Sequence, residues 1–222
     1  MSQKWLQDVQ DLVFGVRCAG CDRPGAPLCP VCRCALAAPP PHHRLPGVVV
    51  ALPFTERVRD VVLGLKYRNR RAVAGHLARL LARRLDEGGG CTADVVTWVP
   101  TTPERRRRRG FDQAELLARA LARELGLPTR RLLDRRPGAP QTGGDRAARL
   151  IGPRLRARPS ARGARVLLVD DVVTTGATLS AARQALAVGG ARHVGCVALA
   201  ATPGRTPAGV AAPLDPAPRR VA

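Results

Sequence analysis

The chain has 222 residues, 45% of them hydrophobic, enough for one domain of ordinary size with a small appendage. Aromatic residues are only 3%, so a core must be built from Val, Leu and Ala, and no apolar run approaches the ~20 residues of a membrane-spanning helix. The formal net charge is +20, which turns attention to polyanionic partners, nucleic acid or phosphorylated small molecules, although a basic surface without a dedicated partner is the plainer reading.

The N-terminal stretch spaces Trp5, Leu6, Val9, Leu12, Val13 and Val16 as one face of a helix over residues 4–16. Asp8 and Asp11 interrupt it, so it lacks the apolar region of a secretory leader, and a cytoplasmic protein is expected. Cys18, Cys21, Cys29 and Cys32 follow as C-x2-C-x7-C-x2-C. In a reducing compartment, paired knuckles of this kind favour a tetrahedral Zn²⁺ site over disulfides or a redox pair. Four thiolates leave no ligand position for water, so that metal is expected to be structural. Cys34 is spare and can stand in for Cys32. Cys91 and Cys196 are expected to be unrelated, with Cys196 in the core. Helix and knuckle form a unit over residues 1–40, and the prolines of AAPPPHHRLPG, 37–47, mark a linker.

The body is expected over residues 48–201. VVVALPF reads as a strand, TERVRDVVLGLKYRNR as a helix running into a basic turn, and Ala72–Leu85 as a second helix ended by Gly88-Gly89-Gly90. VVTWVP, 95–100, is a buried strand. Asp112-Gln-Ala-Glu115 reads as a capping box opening a helix through Leu125. PGAPQTGGDRAARL, 137–150, is a polar, Gly-rich loop. Val166–Val169 is a strand, followed by a loop and a helix stopped by Gly189-Gly190, and HVGCVALA, 193–200, is the last strand. Near-continuous apolar strands alternating with helices indicate an α/β fold, a mainly parallel sheet with helices on both faces. The Pro- and Ala-rich tail, 202–222, is expected to be disordered.

Asp170 and Asp171 stand where the strand at 166–169 is expected to stop. In open α/β sheets ligands sit at the carboxyl ends of strands. The loop beyond the acids offers Thr174, Thr175, Gly176 and Thr178 before a helix begins, and the first N–H groups of a helix form an anion site. One loop therefore places acids at one end and a phosphate cradle at the other. A ribose 5-phosphate matches both.

VLLVDDVVTTGATL resembles the phosphoribosyl pyrophosphate loop of type I phosphoribosyltransferases. VPTTPERRRRRGFDQAELLARALA and APQTGGDRAARL are similar to two further segments of the ComF family, competence-related proteins with a phosphoribosyltransferase-like domain behind an N-terminal zinc knuckle. The resemblance spans roughly residues 18–200 and departs at Asp112, where Asn is usual. It implies that Asp170 and Asp171 bind the ribose hydroxyls. It also implies that the loop Val172, Val173, Thr174, Thr175, Gly176, Ala177 and Thr178 holds the 5-phosphate. Arg105, Arg109 and Lys66 would also bind phosphoribosyl pyrophosphate, with Mg²⁺ bridging ligand oxygens. The loop at 101–110 would be the pyrophosphate loop, and Arg146 and Arg149 would sit on a mobile hood and share in catalysis.

Nothing in the sequence reads an acceptor base, and binding is better supported than turnover. Two functions stay open. One is a phosphoribosyltransferase of unknown acceptor. The other is a non-catalytic protein of DNA uptake or single-stranded DNA handling, with the Arg105–Arg109 run on nucleic-acid phosphates and a competence-machinery protein as partner. That run also reads as a solvated turn in an Arg-rich chain.

Overall fold

The computed structural model describes residues 15–37, 47–135 and 153–202. Among these residues, the N-terminal knuckle carries helix α1 (Pro30–Ala35). The body then runs through strand β1 (Val48–Pro53), helix α2 (Glu56–Tyr67), helix α3 (Ala74–Glu87), strand β2 (Val95–Trp98), helix α4 (Pro103–Arg109) and helix α5 (Gln113–Glu124). It continues with strands β3 (Leu133–Arg135), β4 (Leu155–Ala157) and β5 (Arg165–Val173), helix α6 (Ala177–Val188) and strand β6 (His193–Ala201). Most of the helix expected over 4–16, the interior of the linker, the loop 137–150 with Arg146 and Arg149, and the tail beyond Thr202 lie outside the described residues.

Strands β1, β6, β5 and β2 form one sheet in that order, every pairing parallel. Alternation along the strands divides the interior in two. Val96, Trp98, Leu167, Val169, Val197 and Leu199 face the core shared with α2, α3 and α5. Val95, Val166, Leu168, Val194, Cys196 and Ala198 face the core under α6. Cys196 is buried there, as expected. Each strand is apolar on both sides because each side is covered, which is why the sequence shows continuous runs instead of alternation.

Three local features depart from the sequence reading. The segment expected as a loop at 101–110 contains helix α4. Thr102 Oγ1 accepts from Arg105 N–H at 3.2 Å, Pro103 occupies the first turn, and Gly110, at φ +76°, closes the helix in the left-handed conformation. Five consecutive arginines carry no apolar period, so only the caps announced this helix. Second, β3 and β4 pair antiparallel as a two-stranded unit at the two ends of the 136–154 segment. Strands of three residues are too short to show a period. Third, β5 does not stop at Val169 but continues through both acids to Val173. Strand β2 ends opposite Val169, so the last part of β5 overhangs it while still pairing with β6.

Asp112 is buried and ties two segments together. Its Oδ1 accepts from Ala114 N–H at 3.0 Å and Glu115 N–H at 3.4 Å, capping α5, while Oδ2 accepts from Thr101 N–H at 2.8 Å. The cap matches expectation. Glu115 instead turns outward to Arg119 at 2.9 Å and Arg106 at 3.7 Å. Burial, partly offset by these N–H donors, raises the Asp112 pKa. An Asn here would set an NH₂ against one of those donors. Asp112→Asn should therefore cost about 1–2 kcal/mol in urea unfolding, and Asp112→Ala at least as much, since the cap is lost as well.

Candidate functional site

The carboxyl end of the sheet opens into a cleft of about 400 Å³, within the range usual for small-molecule sites. Its floor is the overhang of β5, its walls are α2 and the α4–α5 segment, and Arg135 at the end of β3 closes one side.

Asp170 and Asp171 both line the cleft without the strand having turned. The two side chains fold back onto their own chain. Asp170 Oδ1 accepts from Asp171 N–H at 2.8 Å, and Asp171 Oδ1 accepts from Val172 N–H at 2.7 Å. Lys66 Nζ lies 2.9 Å from Asp171 Oδ2. That contact is a largely buried ion pair. Among the described residues no cation lies at ion-pair distance from Asp170. Lost hydration on the cleft floor and the neighbouring Asp171 charge raise its pKa to about 8.

Beyond the acids, Gly176 takes φ +76°, where a side chain would be strained, and an added Cβ would meet no atom within 4 Å. Open space therefore lies over the start of α6. Gly176 caps α6 without a side chain, and Ala177 N–H donates to Thr175 Oγ1 at 3.3 Å. Thr174 and Thr178 line the cleft. Val172 does too, but Val173 packs into the core beneath. Thr175, Gly176 and Ala177 shape the turn without reaching the cleft lining.

The helical form of α4 sorts the arginine run. Arg105 and Arg109, four residues apart, line the cleft. Arg109 donates to Gln113 Oε1 at 2.8 Å and to the Tyr67 hydroxyl at 2.8 Å, and its guanidinium lies 4.7 Å from the Tyr67 ring centre. Against the opposing effect of partial burial, these cationic neighbours hold the Tyr67 hydroxyl below its usual pKa. Arg106, Arg107 and Arg108 are exposed and are not among the residues lining the cleft.

Sequence reasoning missed Arg135. It lines the cleft, and Nη1 donates to Pro100 O at 3.2 Å. Burial, with Arg105 nearby, lowers its pKa. In a chain so rich in arginine nothing distinguished it except its place just before the Gly-rich segment. Phe54, Tyr67 and Gln113 were also not anticipated as cleft residues. Lys66, Arg105, Arg109, Asp170 and Asp171, foreseen singly, meet in one cleft.

The second candidate is the knuckle. The Sγ atoms of Cys18, Cys21, Cys29 and Cys32 lie within 4.8 Å of one another, and those of Cys21 and Cys29 are 3.6 Å apart. Tetrahedral thiolate ligation at about 2.3 Å sets sulfurs about 3.8 Å apart, so the cluster fits a metal ion. Cys29 N–H donates to Cys18 Sγ at 3.4 Å and Cys32 N–H to Cys29 Sγ at 3.5 Å, bonds that would steady thiolate ligands. Burial and the three neighbouring sulfurs push the Cys32 thiol far up, an effect that a bound cation would offset. Cys34 is exposed and outside the cluster.

Residues 112–212 match the phosphoribosyl transferase domain family. The chain is 35% identical over 186 residues to the DNA utilization protein YhgH of Salmonella typhi, covering 80% of each. It is 31% identical over 197 residues to the protein of that name from Escherichia coli K12, covering 80% of this chain and 85% of the other. The competence protein ComFC of Bacillus subtilis is 37% identical over 94 residues, 41% of this chain and 38% of that one. No helix among the described residues is long and apolar enough to cross a membrane.

The raised Asp170 pKa has a consequence for stability. The folded state binds a proton there that the unfolded state releases, so its contribution is full below about pH 4 and is lost as the pH rises through about 8. Across that window the stability of the wild type should fall relative to Asp170→Asn, which has no proton to lose. Equal pH slopes for the two proteins in urea unfolding would show that Asp170 titrates normally.

Proposed function

The chain belongs to the ComF family, and from that premise we propose that its cleft binds phosphoribosyl pyrophosphate with Mg²⁺. One observation carries the reading. Two adjacent carboxylates, with Thr174 and Thr178 on either side of an open, glycine-led turn, share a single cleft with Arg105, Arg109, Arg135 and Lys66. The carboxylates suit ribose hydroxyls. Thr174 and Thr178, with the backbone of the turn, suit the 5-phosphate. The guanidinium groups suit a pyrophosphate, which they can grip through paired donors. Mg²⁺, when bound, neutralises the pyrophosphate and takes oxygen ligands largely from it. Lys66 keeps Asp171 aimed, while Asp170 gives up its proton as ligand enters. Arg146 and Arg149, on the segment between β3 and β4, are assigned to closing the site. No residue of the described cleft reads an acceptor base, so binding is better supported than ribose transfer.

Calorimetry with phosphoribosyl pyrophosphate and Mg²⁺ tests this. Wild type should bind, with affinity rising as the pH approaches about 8 and Asp170 ionises. Gly176→Val should abolish binding, because its side chain fills the open space and strains the turn. Asp170→Asn should weaken it about tenfold or more, the loss of a charged hydrogen bond of about 1.5–3 kcal/mol. Absence of heat from wild type at millimolar ligand would refute the proposal.

A second reading concerns single-stranded DNA, in a cytoplasmic protein that works beside the competence machinery. The names of the relatives and the net charge of +20 favour it. The exposed Arg106, Arg107 and Arg108 lie outside the cleft lining and are the natural phosphate contacts. Replacing these three with Gln should flatten the slope of log K against log salt by about 2, at about 0.7 per contact, and leave phosphoribosyl pyrophosphate affinity unchanged. An unchanged slope would remove the run from DNA contact.

The knuckle is assigned to structural Zn²⁺, which soft thiolates select. Purified, reduced protein should carry one Zn²⁺ per chain by elemental analysis, and Cys18→Ser with Cys21→Ser should lose it.

A further inference from the structure

Helix α2 is a wall one helix thick between the metal knuckle and the cleft. Arg59, Val62, Leu63 and Lys66, spaced three and four apart, line the cleft. Val61, Gly64 and Arg68, with the same spacing, meet the knuckle. A Cβ on Gly64 would collide with the backbone carbonyl of Ala19, so helix and knuckle touch backbone to backbone. Gly20 fits between Val61 and a metal-cluster thiol, where an added Cβ would lie 2.8 Å from Cys32 Sγ and 3.2 Å from Val61 Cγ2. Arg68 fastens the seam, its Nη2 donating to Ala19 O at 2.9 Å and to Asp60 O of α2 itself at 2.8 Å. Just past the helix, Arg70 Nη2 meets Asp22 Oδ1 at 2.9 Å. Cys18, Ala19, Cys29 and Cys32 share one buried core with Val58, Val61, Val62 and Leu65 of α2.

The last turn of this helix delivers Lys66 to Asp171 and Tyr67 to Arg109. We infer that metal in the knuckle and ligand in the cleft are thermodynamically coupled through α2, with Gly64 and Arg68 as positioning residues for Lys66. The argument is one of rigidity. Close-packed interfaces do not deform continuously, and Gly64, two residues from Lys66, leaves no slack against Ala19. A metal-ordered knuckle holds the end of α2 where Lys66 can pair with Asp171, and loss of metal frees it. Zinc and thiol state therefore tune the affinity of a site on the opposite face of the helix.

The ligand half of this inference rests on the proposed binding of phosphoribosyl pyrophosphate, so the test needs one readout without ligand. Tyr67 is the chain's single tyrosine, and replacing it biosynthetically with fluorotyrosine gives one ¹⁹F resonance from the cleft wall. Removing zinc by chelation, or introducing Gly64→Ala in the zinc-loaded protein, should shift or broaden that resonance while far-UV circular dichroism shows the body still folded. Arg68→Met should do the same to a smaller degree, and Arg68→Lys should restore part of it.

With Mg²⁺ and phosphoribosyl pyrophosphate, zinc-free protein and Gly64→Ala should bind about tenfold more weakly than zinc-loaded wild type, within the usual range of coupling. By reciprocity the ligand should raise zinc affinity, in competition with a chelating dye, by the same factor. An identical ¹⁹F resonance in zinc-loaded, zinc-free and Gly64→Ala proteins would overturn the coupling. A resonance that responds to zinc in a protein that binds no phosphoribosyl pyrophosphate would uphold it and sink only the proposed ligand.

Discussion

Two neighbouring carboxylates must coexist on the overhang of β5, and much of the molecule is arranged around that requirement. Their charges repel, and the cleft floor is short of water. The structure answers with asymmetry. Asp171 receives Lys66, while Asp170, with no cation at ion-pair distance among the described residues, is held toward its protonated form. Each also takes the N–H of the next residue, so both are oriented before any ligand arrives. Because β2 stops opposite Val169, no strand covers the acids on that edge, and the space it leaves is the cleft.

The positive groups around the acids come from three unconnected parts of the chain: the end of α2, one face of α4 and the end of β3. None is costly alone. Together they form a strongly cationic enclosure that favours a polyanion over a neutral sugar. Tyr67, which lines the cleft, lies 4.7 Å under the Arg109 guanidinium and fixes one of its cationic groups.

The knuckle would be too small to fold on its own apolar burial and needs a metal or a partner surface. It has a claim on both. Its cysteines are positioned for an ion, and its backbone rests on α2 through a glycine. The appendage and the body consequently share one core, which separates this arrangement from two domains joined by a tether.

Much was legible in the sequence. The four parallel strands, the helices between them, the four cysteines and the acidic pair ahead of the glycine-led helix all follow from local rules: continuous apolar runs, caps, and thiol spacing. These signals are local because the backbone must satisfy its hydrogen bonds and its periodicity within a few residues. What needed the tertiary structure was every relation between distant segments. Helix α4 carries no apolar period, and the β3–β4 pair is too short to show one, so Arg105 and Arg109 were marked out by the family resemblance alone and Arg135 by nothing local. Lys66 and Asp171 are 105 positions apart in sequence and 2.9 Å apart in space. Only packing decides such a contact, and the residues packed beside Lys66, Gly64 against the Ala19 backbone and Leu65 in the core, bear no local mark of what they will meet.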